Sequence, residues 1–187
     1  MNGTFPNLTF ILGGSRSGKS SYAEQRALTF GESVIYCATA EILDDEMKDR
    51  VARHRERRPQ NWQTVEAPHN AAEKLRKALS EKPVDCVLLD CLSVLGSNVL
   101  LSLDENVSEA EAFAALEAQE LNALFALIAE KSETRWLIVS NEVGMGVVPA
   151  YKLGRTYRDM LGRANQACAA AAGEVVFMIA GIPLFIK

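Results

Sequence analysis

The stretch "LTFILGGSRSGKSSYAEQRA", residues 8–27, constrains this chain more than any other. An apolar run meets Gly13, Gly14 and Gly18, then a lysine, two serines and a helical pattern. Gly13 through Ser20 fits G-x-x-x-x-G-K-[ST] at every fixed position, with a strand before it and a helix after. Such glycines let backbone N–H groups turn inward around phosphate oxygens, and the adjoining helix adds its positive end. Lys19 is then placed to reach the terminal phosphates of a nucleoside triphosphate, and Ser20 to hold Mg²⁺. Arg16 and Ser17 can add donors inside the loop. The loop alone does not choose between an ATPase, a GTPase, a kinase and a nucleotidyl transferase.

The rest of the chain supplies the fold around that loop. Apolar runs alternate with helical patterns: strand 8–12, helix 20–30 closed by Gly31, strand 33–40, charged helix 44–59, short strand 62–67, helix 70–80, strand 84–90 and apolar helix 92–101. A loop at 102–106 precedes one long helix over 108–131 that opens on Ser108, then strand 135–140, a glycine-containing loop 141–150 and helix 152–172 followed by Gly173. Strands 174–181 and 183–187 end the chain as a hairpin about Gly181–Pro183. Near-continuous apolar strands alternating with helices predict an α/β fold, a mostly parallel sheet covered on both faces. The last two strands are too close for a helical crossover, so they pair antiparallel. With 187 residues and no repeat or linker, residues 1–187 read as a single nucleotide-binding domain.

Composition excludes other classes. A net charge of −4 gives no general pull toward nucleic acid or acidic membranes. The N-terminus lacks the basic and apolar regions of a signal peptide, and no run reaches the ~20 apolar residues of a membrane span. Cys37, Cys86, Cys91 and Cys168 are far apart and mostly in apolar runs, as reduced buried thiols of a cytoplasmic protein are.

Two further features carry chemistry. Asp90 ends the strand "CVLLD", where the metal-linked acid of a phosphate-loop protein belongs, although aspartate also caps helices. Positive charge gathers in "RVARHRERRP", where Arg50, Arg53, Arg55, Arg57 and Arg58 fall within nine residues and surround His54. On a helix, Arg50 and Arg58 stand one turn either side of His54. Neighbouring guanidiniums disfavour imidazolium, and neutral imidazole is the nucleophilic form. His54 attacking a phosphorus is therefore sensible chemistry, while spacing alone better suits a solvated basic face with an incidental histidine. His69 has no such neighbours and reads as a loop residue. "NEVGMGVVP" comes after strand 135–140, so Asn141 and Glu142 are expected to border the active site at the C-terminal sheet edge.

Taken in order, "LGGSRSGKSSYAEQRA", "YCATAEILDDEMKDRVARHRERRPQNWQTVEAP", "LLDCLSVLGSN" and "VSNEVGMGVVPAYKLGRTYRDMLGRANQACAAAAGEVVFMIAGIPL" resemble the bifunctional adenosylcobinamide kinases / adenosylcobinamide-phosphate guanylyltransferases of cobalamin biosynthesis. The likeness runs over nearly the whole chain and is weakest in 100–135. It implies a RecA-like P-loop fold, a homotrimer, and two reactions on a corrinoid. ATP or GTP phosphorylates adenosylcobinamide; GMP from GTP is then added to that phosphate. It also implies a covalent GMP–histidine at the position of His54, which overrides the bland reading of the basic segment. The nucleotide contacts it implies are Gly13, Gly14, Ser15, Arg16, Ser17, Gly18, Lys19 and Ser20; Ala38, Thr39 and Ala40; Arg55, Glu56, Arg57 and Arg58; and the acids Glu66 and Asp90. The competing reading is a monofunctional P-loop kinase of another small molecule, with His54 idle. A GTP-binding switch is disfavoured because the chain has no N/TKxD run.

Overall fold

The computed structural model describes residues 4–41 and 58–187. The seven described strands are β1 (Phe5–Gly13), β2 (Val34–Ala38), β3 (Gln63–Glu66), β4 (Cys86–Asp90), β5 (Arg135–Asn141), β6 (Ala172–Ile179) and β7 (Ile182–Phe185). They form one sheet in the order β3-β2-β4-β5-β1-β6-β7. All neighbours are parallel except β6 and β7, which pair antiparallel as expected. The described helices are α1 (Lys19–Leu28), α2 (Ala71–Glu81), α3 (Leu92–Leu101), α4 (Glu109–Leu116), α5 (Asn122–Glu130) and α6 (Lys152–Ala171). The expected helix 44–59 falls almost entirely outside the described residues.

Alternation along the strands explains why the sheet is covered on both faces. Leu8 and Phe10, Ile35 and Cys37, Val87 and Leu89, and Trp136 and Ile138 point to one side, where α2 to α6 pack. Ile11, Val34, Tyr36, Cys86, Leu88, Leu137 and Val139 point to the other, against Ala23 and Ala27 of α1 and Trp62. Successive side chains on a strand face opposite ways, so strands apolar at every position need two covering layers. Helix α6 meets its layer through Thr156, Met160, Ala164 and Cys168, a stripe at spacing four.

Three expectations change in detail. The helix expected over 108–131 opens on a capping box, Ser108 with Glu111, but contains a π-turn at Glu117–Leu121. The extra residue in that turn rotates the helix beyond it and brings Glu120 into the core, where it is 1 % exposed. The strand expected from 174 begins at Ala172, so Gly173 lies within β6, where a Cβ would come 2.8 Å from Pro6 Cα. The hairpin turn is Ala180–Gly181, both at positive φ (51° and 84°), which suits the twist of the flanking strands. Pro183 sits in edge strand β7, where a missing N–H costs least.

The continuous helical stretch Glu109–Glu130 is long and apolar enough to cross a membrane, but Ala112, Leu116, Leu121, Leu124, Leu127 and Ile128 are buried in the core. All four cysteines are free and buried. Burial pushes the thiols of Cys37, Cys86 and Cys168 up to about 12, and raises Cys91 as well, so these side chains stay protonated and inert.

Candidate active site

The parallel register sets out the site in a row. Gly13 stands beside Asn141, Asp90 beside Val139, Ala38 beside Asp90, and Glu66 beside Ala38. Five strands therefore end at one edge, which is where an open α/β sheet presents its ligand crevice. Of the expected site residues, the structure brings the phosphate loop, Ala38 to Ala40, Glu66, Asp90 and Arg58 to this edge. His54, Arg55, Glu56 and Arg57 lie outside the described residues.

The phosphate loop leaves β1 at Gly13 and enters α1 at Lys19. A Cβ on Gly13 would come 2.5 Å from Ser17 Oγ and 2.8 Å from the Met178 carbonyl, so only glycine fits. Gly18 turns the chain at φ 90°, the left-handed region glycine enters without strain. Ser17 N–H donates to the Gly14 carbonyl at 3.2 Å. The β6–β7 turn braces the loop from outside, with Gly181 N–H donating to the Ser17 carbonyl at 2.9 Å. Helix α1 is tied down by Arg26, whose guanidinium bonds both oxygens of Glu174 on β6 at 3.2 and 3.0 Å. Lys19 is 9 % exposed and its ammonium donates to the Gly14 carbonyl at 3.0 Å, across the mouth of the loop.

Ser20 and Asp90 meet: Ser20 Oγ donates to Asp90 Oδ1 at 3.4 Å. A hydroxyl and a carboxylate beside a phosphate cradle are the hard oxygen donors Mg²⁺ takes when nucleotide phosphates and water supply the rest. Among the described residues no cluster of three or more His, Cys, Asp or Glu side chains offers a rival metal site.

Thr39 is fully buried, and its hydroxyl donates to the Cys91 carbonyl and accepts from Cys91 N–H, both at 2.8 Å. Its side chain is thus committed to locking the β2 exit to the β4 exit. Asn98 of α3 continues the lock, donating to the carbonyls of Thr39 and Pro68 at 2.9 Å each. Asn141 donates to Ser93 Oγ at 2.8 Å, and Glu142 N–H donates to the Gly13 carbonyl at 3.0 Å. Both residues therefore adjoin the phosphate loop, in the place expected from the sequence. His69 Nε2 lies 3.4 Å from Glu41 Oε1, so the residue read as a plain loop histidine has an acidic neighbour.

Sequence reasoning passed over Tyr36. Its phenol donates to Asp90 Oδ2 at 2.9 Å, and the Arg58 guanidinium lies over its ring, 3.4 Å from the centroid. Burial first, and the Asp90 carboxylate second, push the phenol far above its usual range, so it remains a donor. Asn98 and Ser93 were also passed over, being polar residues inside an apolar helical run.

Residues 9–186 match the family described as cobinamide kinase / cobinamide phosphate guanyltransferase. The chain belongs to that family. Among curated relatives, the bifunctional adenosylcobalamin biosynthesis protein CobU of Salmonella typhimurium is 39 % identical over 183 residues, covering 96 % of this chain and 99 % of the relative. The corresponding protein CobP of Pseudomonas aeruginosa is 42 % identical over 177 residues, covering 95 % of each. Among solved structures, the RadB recombinase superposes with a TM-score of 0.51 at 18 % identity, covering 93 % of this chain and 74 % of that one. That likeness concerns the fold alone and agrees with the RecA-like architecture expected of the family.

Proposed function

We propose that this chain phosphorylates adenosylcobinamide with ATP or GTP, then adds GMP from GTP to the phosphate through a GMP–histidine on His54. In the first step the substrate hydroxyl attacks the γ-phosphorus, its proton departs, and a nucleoside diphosphate leaves. In the second, an imidazole nitrogen of His54 attacks the α-phosphorus of GTP and pyrophosphate leaves. A phosphate oxygen of adenosylcobinamide-phosphate then attacks the same phosphorus, His54 leaves, and adenosylcobinamide-GDP forms. A temporary carrier splits one difficult substitution into two.

The observation that carries this reading is the place of Arg58. It is the first described residue after the His54 segment, and it lies on Tyr36, which bonds the same Asp90 that meets Ser20. Arg58 therefore shares one corner of the sheet edge with the phosphate cradle, which supports histidine attack on a nucleotide held there. Gly13 to Ser20 bind the phosphates, with Lys19 stabilising charge on the transferring phosphoryl group. Ala38, Thr39 and Ala40 contribute through their backbone, and Arg55, Glu56, Arg57, Arg58 and Glu66 complete the nucleotide contacts. Mg²⁺ held by Ser20 and Asp90 offsets the charge of the triphosphate.

The deciding experiment is incubation with α-³²P-GTP and Mg²⁺, followed by denaturing electrophoresis. Wild type is expected to carry an acid-labile label and His54→Ala none. An unlabelled wild type that still binds GTP would overturn the guanylyl-transfer reading and leave a kinase.

We further propose that the enzyme works in the cytoplasm as a homotrimer. Free, protonated cysteines suit a reducing compartment. Ile182, Leu184 and Phe185 on edge strand β7 are all more than half exposed, and apolar edges of this kind call for cover. Light scattering is expected to give three times the 20.5-kDa chain mass; a monomer's mass would refute the trimer.

A further inference from the structure

Tyr36 lies two residues before the end of β2, with Leu88 opposite it in register and Asp90 diagonal to it on the same face. At 4 % exposure its ring packs as a core side chain. A phenylalanine would pack as well, so packing does not account for the hydroxyl. That hydroxyl is spent on Asp90 Oδ2, leaving Oδ1 to meet Ser20. The carboxylate is thereby held at both oxygens, with one edge turned toward the start of α1. Independently, the ring face seats the guanidinium of Arg58, itself 9 % exposed. A flat cation buried on an aromatic face is held in both place and tilt.

We propose that Tyr36 is a positioning residue with two separable arms: its hydroxyl aims Asp90 at the nucleotide-bound cation, and its ring seats Arg58 beside the nucleotide. The inference rests on the nucleotide and Mg²⁺ binding proposed above, and not on the histidine route. Without the hydroxyl, Asp90 loses the bond that fixes its second oxygen and can turn away from Ser20. Partners that orient a metal ligand in this way are commonly worth about 10–100-fold in metal affinity. Without the ring, Arg58 loses its seat while Asp90 also loses its donor. The two losses are therefore separated by comparing phenylalanine with leucine.

The test uses the full chain and a fluorescent GTP analogue. Two quantities are read: the Mg²⁺ concentration at the midpoint of Mg²⁺-dependent binding, and the Kd for the nucleotide at saturating Mg²⁺. Tyr36→Phe is expected to raise the Mg²⁺ midpoint about tenfold and leave the Kd within about twofold. Tyr36→Leu is expected to raise both, the Kd by about tenfold. Arg58→Met keeps a long side chain without the cation, and is expected to raise the Kd while leaving the Mg²⁺ midpoint near that of wild type. It carries the ring arm should Tyr36→Leu fail to fold. An unmoved midpoint in Tyr36→Phe overturns the hydroxyl arm, since a merely structural tyrosine would not link its oxygen to Mg²⁺. A Tyr36→Leu or Arg58→Met protein that binds nucleotide as tightly as Tyr36→Phe overturns the ring arm. Absence of a GMP label on wild type would sink the His54 route and leave these titrations to judge Tyr36 on their own.

Discussion

Lys19→Met is expected to lower both reactions, phosphorylation of adenosylcobinamide and GMP transfer, by roughly 10²–10³-fold, or about 3–4 kcal/mol of transition-state stabilisation. Methionine keeps the length and apolar stem of the side chain and removes only the charge and its donors. The loss is large because Lys19 is not a mobile surface arm. It is the first residue of α1, 9 % exposed, with its ammonium already across the loop mouth at 3.0 Å from the Gly14 carbonyl. Preorganised charge costs no reorientation when phosphoryl charge develops, which is where such groups act most strongly. The same substitution also tests whether one cradle serves both steps. His54→Ala should stop only guanylyl transfer; Lys19→Met should stop both. The checks are formation of adenosylcobinamide-phosphate from ATP and release of pyrophosphate from GTP. If either reaction stays within tenfold of wild type in Lys19→Met, that reaction does not run on this loop.

The phosphate loop was legible because its chemistry is local. Gly13, Gly18, Lys19 and Ser20 need only eight consecutive residues to be recognised. The layered α/β character was equally legible, since strands buried on both faces are apolar at every position. Strand order was not. Nothing along the chain says that β1 lies between β5 and β6, because the pattern within a strand reports burial and not neighbours. Tyr36 illustrates the limit at the site. In "VIYCA" it reads as one more core aromatic; only the register of β2 on β4 puts its hydroxyl diagonal to Asp90. The β6–β7 turn is a similar case, as its bond to Ser17 joins residues far apart in sequence. Sequence chemistry thus pointed to the groups proposed to meet phosphate and cation, and missed those that hold them in place.

Glu120 is the residue whose importance the sequence hid most completely, and its removal is expected to cost more stability than any surface change. Read as one uninterrupted helix, 108–131 gives no reason to place this acid in the core. The π-turn at Glu117–Leu121 does so. There its carboxylate accepts from Asn70 N–H at 2.6 Å and Ala71 N–H at 3.0 Å, at the start of α2. Asn70 sits at φ 55° and its own side chain makes no cap, so the acid from the opposite helix supplies it. Negative charge at a helix N-terminus is also favourable in itself. Glu120→Ala leaves two inward N–H groups without an acceptor and is expected to cost about 3–5 kcal/mol. For a chain of this size that lowers the melting temperature by roughly 10 °C. Glu120→Gln retains one acceptor oxygen and should cost about half as much. Urea and thermal unfolding measure both. An alanine variant within about 1 kcal/mol of wild type would show that water caps α2 adequately. The consequence reaches the active site through Pro68, just before this cap: Asn98 bonds its carbonyl together with that of Thr39. Loosening the start of α2 should therefore also loosen the Ala38–Ala40 side of the nucleotide cradle, and nucleotide KM should rise in Glu120→Ala while Glu120→Gln stays closer to wild type.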